Sequence, residues 1–122
     1  MSHPNKRIVL CCRKAPYGNA LAREALELAL AAAVFEQDIA ILFIGDGVWQ
    51  LHRQQNSETI ASKNQQKLLA ALGMYGLEEI YVELDALNHR NIKTDELSIA
   101  AKIIDPKAAA ELCDSADIIL NF

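Results

Sequence analysis

The sequence has few cysteines and only short apolar runs among its 122 residues. Three cysteines, two of them adjacent at Cys11 and Cys12, do not make the disulfide framework of a small secreted protein and fit a reducing cytoplasm. The longest apolar run, 28–35, is far shorter than the roughly 18 residues that suggest a membrane span. The first run, 8–12, is too short for the core of a signal peptide. We therefore expect a cytoplasmic protein that does not enter the membrane.

Positive charge is also scarce. Twelve Lys and Arg stand against 16 Asp and Glu, for a net charge of −4. Domains that hold a nucleic-acid backbone unaided are usually basic, so direct nucleic-acid binding is disfavoured. Apolar residues make up 52% of the chain, enough to bury a core. The length predicts one domain, residues 1–122, of which 1–5 are expected to be flexible.

Alternating strand and helix patterns predict an α/β fold, a three-layer sandwich around a mostly parallel sheet of about five strands. The segment 39–44 is apolar at every position, which is typical of a strand covered on both faces. The predicted strands are 7–12, 39–44, 80–84, 98–104 and 117–120. The predicted helices are 20–35, a piece at 48–53, one that runs from a cap at Asn56 or Ser57 to Leu72, and 106–115.

Several residues are typical of helix ends. Asn19 is a predicted N-cap of the first long helix, and Gly73 a predicted C-cap of the second. Asp105 and Pro106 suit the N-cap and first position of the last helix. In the first helix, residues 23 and 27 carry opposite charges four positions apart and are expected to pair on the exposed side.

The second half of the first long helix, 28–35, has no polar side. A surface helix normally keeps one. Either this half lies deep in the fold or it faces a partner protein. A chain of this length has little depth, so we favour the interface.

Two adjacent cysteines, Cys11 and Cys12, end the first strand at the edge where α/β sheets bind ligands. One hypothesis is a reactive thiol whose pKa is lowered by Arg13 and Lys14. The alternative, which we favour, is that both side chains pack as small hydrophobic groups. Neighbours on a strand face opposite ways, so at most one can face a given pocket.

The remaining cysteine and the histidines indicate no metal site. Cys113 follows the spacing of a buried helical stripe (109, 112, 113 and 116), so we expect it to pack. His3, His52 and His89 stand among polar residues and are expected to be solvated. No histidine is near a cysteine in the sequence, so no metal ligands are assigned.

A glycine pair, Gly45 and Gly47, follows the second strand as it would in a dinucleotide-binding fingerprint. The third glycine is missing, because Gln50 stands in its place, so the pair predicts a turn. The loop after the first strand also lacks the Ser and Thr cluster of a flavodoxin-like phosphate site. Trp49 suits core and interface equally well.

Six stretches together resemble a known family. Their order and spacing are similar to the TusC/DsrF family of sulfur-relay subunits, over nearly the whole chain from Lys6 onward. The stretches are 6–9, 15–18, 23–26, 43–51, 72–77 and 116–122.

The resemblance implies a DsrE/DsrF-like fold and a cytoplasmic heterohexamer, (BCD)2, with TusB-like and TusD-like subunits. In the Tus relay, a TusA-like carrier brings persulfide sulfur to the D subunit, which passes it to a TusE-like carrier and on to 2-thiouridine formation at the tRNA wobble position. Each handover is attack by a thiolate on another cysteine's persulfide. In the Dsr relay the sulfur enters sulfur oxidation.

By the same resemblance, relay subunits carry their working cysteine just after the third strand, where this chain has Glu83. A carboxylate cannot carry a persulfide, so the resemblance implies a non-catalytic structural subunit. No catalytic, cofactor-binding or metal residue is assigned, and no cofactor is expected. Three alternatives stay open: a DsrF-like subunit of sulfur oxidation, a stand-alone thiol enzyme using Cys11 or Cys12, and a small-ligand sensor.

Overall fold

The computed structural model describes residues 6–15, 20–52 and 60–122, with the backbone alone for 60–64. Four sequence predictions fall outside the described residues. They are the flexible start at 1–5, the solvated His3, the N-cap at Asn19, and the helix start at Asn56 or Ser57.

Five strands form one fully parallel sheet in the order β4-β3-β2-β1-β5. The strands are β1 (Ile8–Cys12), β2 (Ile39–Phe43), β3 (Ile80–Glu83), β4 (Lys102–Ile104) and β5 (Ile118–Asn121). The helices are α1 (Leu21–Val34), α2 (Ile60–Met74), α3 (Leu84–His89) and α4 (Pro106–Asp114). Within the described ranges, 3₁₀ helices span Gly45–Leu51 and Thr94–Glu96.

Alternate residues of each strand point to opposite sides of the sheet. Because apolar side chains lie on both sides, helices cover the sheet on both faces. On one face, side chains such as Leu10 and Phe43 pack with α1 and α2 in the larger core. On the other, Val9 and Leu42 pack against α4. All five residues of β2 are buried. The predicted three-layer α/β sandwich is confirmed.

The end of α2 and the start of β4 differ from the sequence prediction. Gly73 is not the C-cap of α2. The helix continues to Met74, and the left-handed residue that follows is Gly76, at φ +82°. The predicted strand 98–104 is shorter, because Ser98 N donates to Leu51 O, at the end of the first 3₁₀ helix, and only 102–104 pair with β3.

The polar segment after β3 contains a helix that was not predicted. Leu84 begins α3 instead of ending the strand, and Ala86 and Leu87 turn inward to the larger core. The segment 45–47 is likewise the first turn of a 3₁₀ helix and not a separate turn.

Other local predictions are confirmed. The Asp105 carboxylate accepts a hydrogen bond of 2.8 Å from the Ala108 N–H at the start of α4, and Pro106 occupies the first turn. Arg23 and Glu27 pair at 3.6 Å on the exposed side of α1. None of the helices in the described ranges is both long and apolar enough to cross a membrane.

Arg7 ties the amino ends of four strands together. Its guanidinium binds Asp38, before β2, at 2.7 Å, and chelates Glu79, before β3, with one contact of 2.9 Å. Its backbone N–H donates to the Asp117 carboxylate, before β5, at 2.7 Å. The hydrogen bond from Arg7 is the largest influence on Glu79 and lowers the pKa of that carboxyl. The cluster fixes the register at the edge opposite the candidate site.

Candidate functional site at the carboxyl edge of the sheet

The carboxyl ends of β1, β2 and β3 meet at one edge, as in every parallel sheet. This edge holds the Cys11–Cys12 pair, the 3₁₀ helix Gly45–Leu51 and Glu83. The candidate functional residues of the first three strands therefore lie in one region, as the parallel pattern predicts.

The two strand-end thiols are interior groups. Cys11 and Cys12 are each 1% exposed, and they point to opposite faces of the sheet. Burial raises the pKa of Cys11 to about 11 and that of Cys12 to about 12. Arg13 lowers the pKa of Cys11, as the sequence suggested, but less than burial raises it. Both thiols are therefore protonated at neutral pH, and the structure supports packing over a reactive thiol.

Cys113 also packs. With Leu112 and Ala116 it lies against the second core cluster, in which Ala109 is buried. It is half-buried, unlike the strand cysteines.

Gly47 is required by a close approach of two backbone segments. A Cβ on it would lie 1.8 Å from the carbonyl oxygen of Cys12. Its N–H already donates to Ile44 O at 2.9 Å, so it is not aimed at a ligand. Gly47 thus lies where the 3₁₀ helix touches the end of β1, and its N–H is occupied within the chain.

A buried pair of glutamines, which the sequence did not predict, holds the backbone of Lys14 just after β1. Gln50 is fully buried, and its amide nitrogen donates to Lys14 O at 2.8 Å. Its carbonyl accepts a hydrogen bond of 2.7 Å from Gln65, which α2 supplies. The one sequence feature that could have indicated a buried Gln50 is its position between the apolar residues Val48 and Leu51, which are both buried.

The prediction that the histidines are solvated is wrong for His52. Its ring packs edge-on against Trp49 and lies 3.1 Å from the Glu96 carboxylate. Trp49 itself is half-buried against the larger core. His89 is exposed, with Nδ1 2.8 Å from Asp85 O. Within the described ranges, no three His, Cys, Asp or Glu side chains cluster as metal ligands would.

Glu83 is the last residue of β3 and the N-cap residue of α3. It is half-buried, opposite Ile104 of β4. The Arg90 guanidinium, beyond the end of α3, binds Asp46 at 3.0 and 3.1 Å. A groove of about 420 Å³ opens beside Glu83, with Leu84, Asn88 and Lys93 in its wall. No thiol is among the described residues that line this groove.

The exposed side of α1 is apolar in its second half, as predicted. Val34 is 56% exposed and Phe35, just after the helix, is 76% exposed, while Leu28 and Ala31 are also open to solvent. Ala32 instead packs against the core. The side of α1 that packs on the sheet buries only Ala and Leu side chains. The apolar residues on the outer side make no such contact, so the fold of this chain alone does not explain them.

Residues 6–122 match the model of the DsrE/DsrF-like family. The chain is 36% identical to the intracellular sulfur oxidation protein DsrF of Allochromatium vinosum, over 100% of both chains. It is 37% identical to a TusC homolog of Aliivibrio fischeri (95% of this chain, 98% of the relative) and 30% identical to that of Pseudomonas aeruginosa (96% and 98%). The crystal structure of the ychN protein from E. coli superposes with a TM-score of 0.80 at 27% identity, over 96% of this chain and 99% of that one. The chain therefore belongs to the DsrE/DsrF-like family.

Proposed function

We propose that this chain is a non-catalytic structural subunit of a cytoplasmic sulfur-relay complex. Similarity to TusC and DsrF proteins over nearly its full length supports a role in a sulfur relay. The proposed assembly is the (BCD)2 heterohexamer, with TusB-like and TusD-like subunits. TusA-like and TusE-like carriers would exchange sulfur with the D subunit, and the sulfur would end in 2-thiouridine of tRNA.

The observation that carries the proposal is Glu83 at the end of β3. By the resemblance, this is the position of the persulfide cysteine in relay subunits. Sulfur transfer needs a thiolate that can hold a second sulfur atom, and a carboxylate cannot do this. A negative carboxylate also repels an incoming thiolate or persulfide anion. The wall of the adjacent groove supplies no substitute thiol among its described residues.

The outer face of α1 supports a subunit role. Leu28, Ala31, Val34 and Phe35 present apolar surface to solvent along the second half of the helix and just beyond it. Obligate interfaces resemble a protein core cut in half, and a partner subunit would remove this surface from water.

A stand-alone thiol enzyme is disfavoured because the strand thiols are buried and protonated. Cys11 and Cys12 are buried, and their raised pKa values keep them protonated at neutral pH. A subunit of a sulfur-oxidation relay remains the second candidate, because the A. vinosum relative at 36% identity is a sulfur oxidation protein.

The test is complementation of a strain that lacks this chain, with 2-thiouridine in bulk tRNA measured by mass spectrometry. We expect the deletion to abolish thiolation and Glu83→Ala to restore it to at least 80% of wild type. Glu111→Ala, an exposed glutamate on α4, is the matched control.

Two results contradict the proposal. Loss of thiolation in the Glu83→Ala strain, with the complex intact on a sizing column, would give Glu83 a chemical role. Full thiolation in the deletion strain would remove the tRNA function, and loss of sulfur oxidation in that strain would then support the second candidate.

A further inference from the structure

An apolar groove of about 320 Å³, the α2 groove, lies between α2 and the segment that leads into β4. Ala70 and Gly73 belong to its wall on α2, and Ile99 and Ala100 to the opposite wall. Ile80 of β3 also lines it. The volume falls within the range of about 300–1,000 Å³ that is usual for binding pockets, so the groove can admit side chains of a partner.

The α2 groove lies where the helical layer on this face of the sheet ends. β4 is an edge strand, and its Ile104 packs with α4 on the opposite face. Ile103 pairs with Val82, whose side chain lies in the larger core, so Ile103 points to the side of α2. There it is 40% exposed. Helices normally cover a sheet face side by side, and in the described part of the chain the position beside α2 and over β4 is open.

Large apolar side chains extend this surface beyond the groove. Met74 and Tyr75 follow Gly73 directly at the end of α2, and they are 84% and 57% exposed. Exposed apolar side chains that adjoin a groove mark protein–protein contacts, and the flexible methionine side chain adapts readily to a partner. The apolar surface therefore continues from the α2 groove onto the end of the helix.

The charge at the α2 groove indicates which partner fits it. Glu78 is the one charged residue among the described residues that line the groove, and its carboxylate has no ion pair or hydrogen bond among them. Arg7 cannot supply one, because its guanidinium is held by Asp38 and Glu79. A carboxylate beside an apolar groove is complementary to a cation beside an apolar side chain.

The same carboxylate disfavours a second copy of this chain as the occupant. A symmetric contact between two copies places the same patch on both sides of a two-fold axis, so Glu78 would approach Glu78. Like charges across an interface repel, whereas a basic segment would neutralise the carboxylate.

We propose that the α2 groove docks a basic amphipathic helix of a partner protein, with its apolar side chains in the groove and a Lys or Arg on Glu78. The helix would pack beside α2 at about 8–10 Å between the axes and would extend the helical layer over β4. This surface is distinct from the outer face of α1, and the inference does not depend on the proposed relay role.

The experiment measures binding of labelled helical peptides to the full chain by fluorescence anisotropy at physiological salt. The Lys peptide carries Leu at every third and fourth position, which places these side chains on one face of the helix, with Lys beside that face and Gln elsewhere. The Glu peptide is identical except that Glu replaces each Lys. We expect the Lys peptide to bind at least tenfold more tightly than the Glu peptide.

Two pairs of variants locate the bound peptide. Ala70→Phe fills the groove from an exposed position on α2 and should weaken binding of the Lys peptide at least tenfold, whereas Ala110→Phe, exposed on α4, should leave it unchanged. Glu78→Lys should weaken the Lys peptide at least threefold and tighten the Glu peptide. Glu111→Lys, also exposed on α4, should do neither.

Four results would overturn the proposal. They are no binding of the Lys peptide, equal binding of both peptides, binding that survives Ala70→Phe, and a two-chain species in light scattering that Ala70→Phe abolishes. The third would place the peptide on another surface, and the fourth would make a second copy the occupant. The Glu78→Lys result is decisive even if Ala70→Phe folds poorly, because Glu78 is exposed.

Discussion

Gly47→Ala is predicted to be strongly destabilising, because at this position β1 and the 3₁₀ helix Gly45–Leu51 touch through their backbones. The added Cβ would lie 1.8 Å from Cys12 O and 2.6 Å from Cys12 C. Carbon contacts of this kind are essentially never shorter than 3.0 Å. One of the two segments must therefore move by more than 1 Å, on the order of the overlap.

The cost follows from what that movement breaks. Ile44 N donates to Cys12 O at 3.1 Å, and this hydrogen bond cannot survive a displacement of its acceptor. Overpacking costs about 1–3 kcal/mol, and a lost hydrogen bond about 1 kcal/mol. We therefore expect the free energy of unfolding to fall by about 3 kcal/mol, a large share of the roughly 5–15 kcal/mol of a typical domain.

Gly73→Ala is the matched control. A Cβ at Gly73 meets nothing within 4 Å, and the residue lies inside α2. We expect this variant to gain about 0.5–1 kcal/mol, because Ala is the better helix residue. Urea unfolding followed by circular dichroism measures both variants. A Gly47→Ala protein within about 0.5 kcal/mol of wild type would show that the contact is relieved at no cost and would refute the reasoning.

Two further predictions concern charge. Glu79 has its pKa lowered, first by the hydrogen bond from Arg7, so its stabilising effect is complete above the ordinary value of 4.5 and is lost as the pH falls through the lower folded-state pKa. Melting temperatures between pH 7 and pH 3 should therefore fall more steeply for the wild type than for Glu79→Gln, and equal slopes would contradict this. If the proposed complex forms, Ala31→Glu on the exposed face of α1 should weaken binding to the proposed TusB-like and TusD-like partners at least tenfold in titration calorimetry, since it would bury a charge in the proposed interface. Ala110→Glu on exposed α4 should leave that binding unchanged, and equal loss in both variants would remove α1 from the interface.

The strands were the most predictable part of the fold. The stretch 39–44 is short and apolar at every position, a pattern typical of a strand covered on both faces, and β2 is that strand. Asp105 and Pro106 were equally decisive, because capping depends on residues close in sequence. α3 was missed because its burial rests on two inward residues, Ala86 and Leu87, within a polar segment.

The site was predictable only in part. The parallel pattern placed Cys11, Cys12 and Glu83 at one edge, since the carboxyl ends of parallel strands coincide. Whether the Cys11 and Cys12 thiols are protonated depends on their burial, and burial is set by the helices that cover each face of the sheet. The charge of Arg13, which suggested reactivity, lowers the pKa of Cys11 less than burial raises it.

By itself the sequence determined the α/β class, the strand identities and the apolar outer face of α1, because each depends on hydrophobic spacing over a short stretch. Only the tertiary structure decided which polar groups meet. Gln50 pairs with Gln65, and His52 pairs with Glu96, across separations that no local pattern encodes. Parallel crossovers bring such residues together, and whether a side chain is solvated, paired or buried is fixed by those contacts.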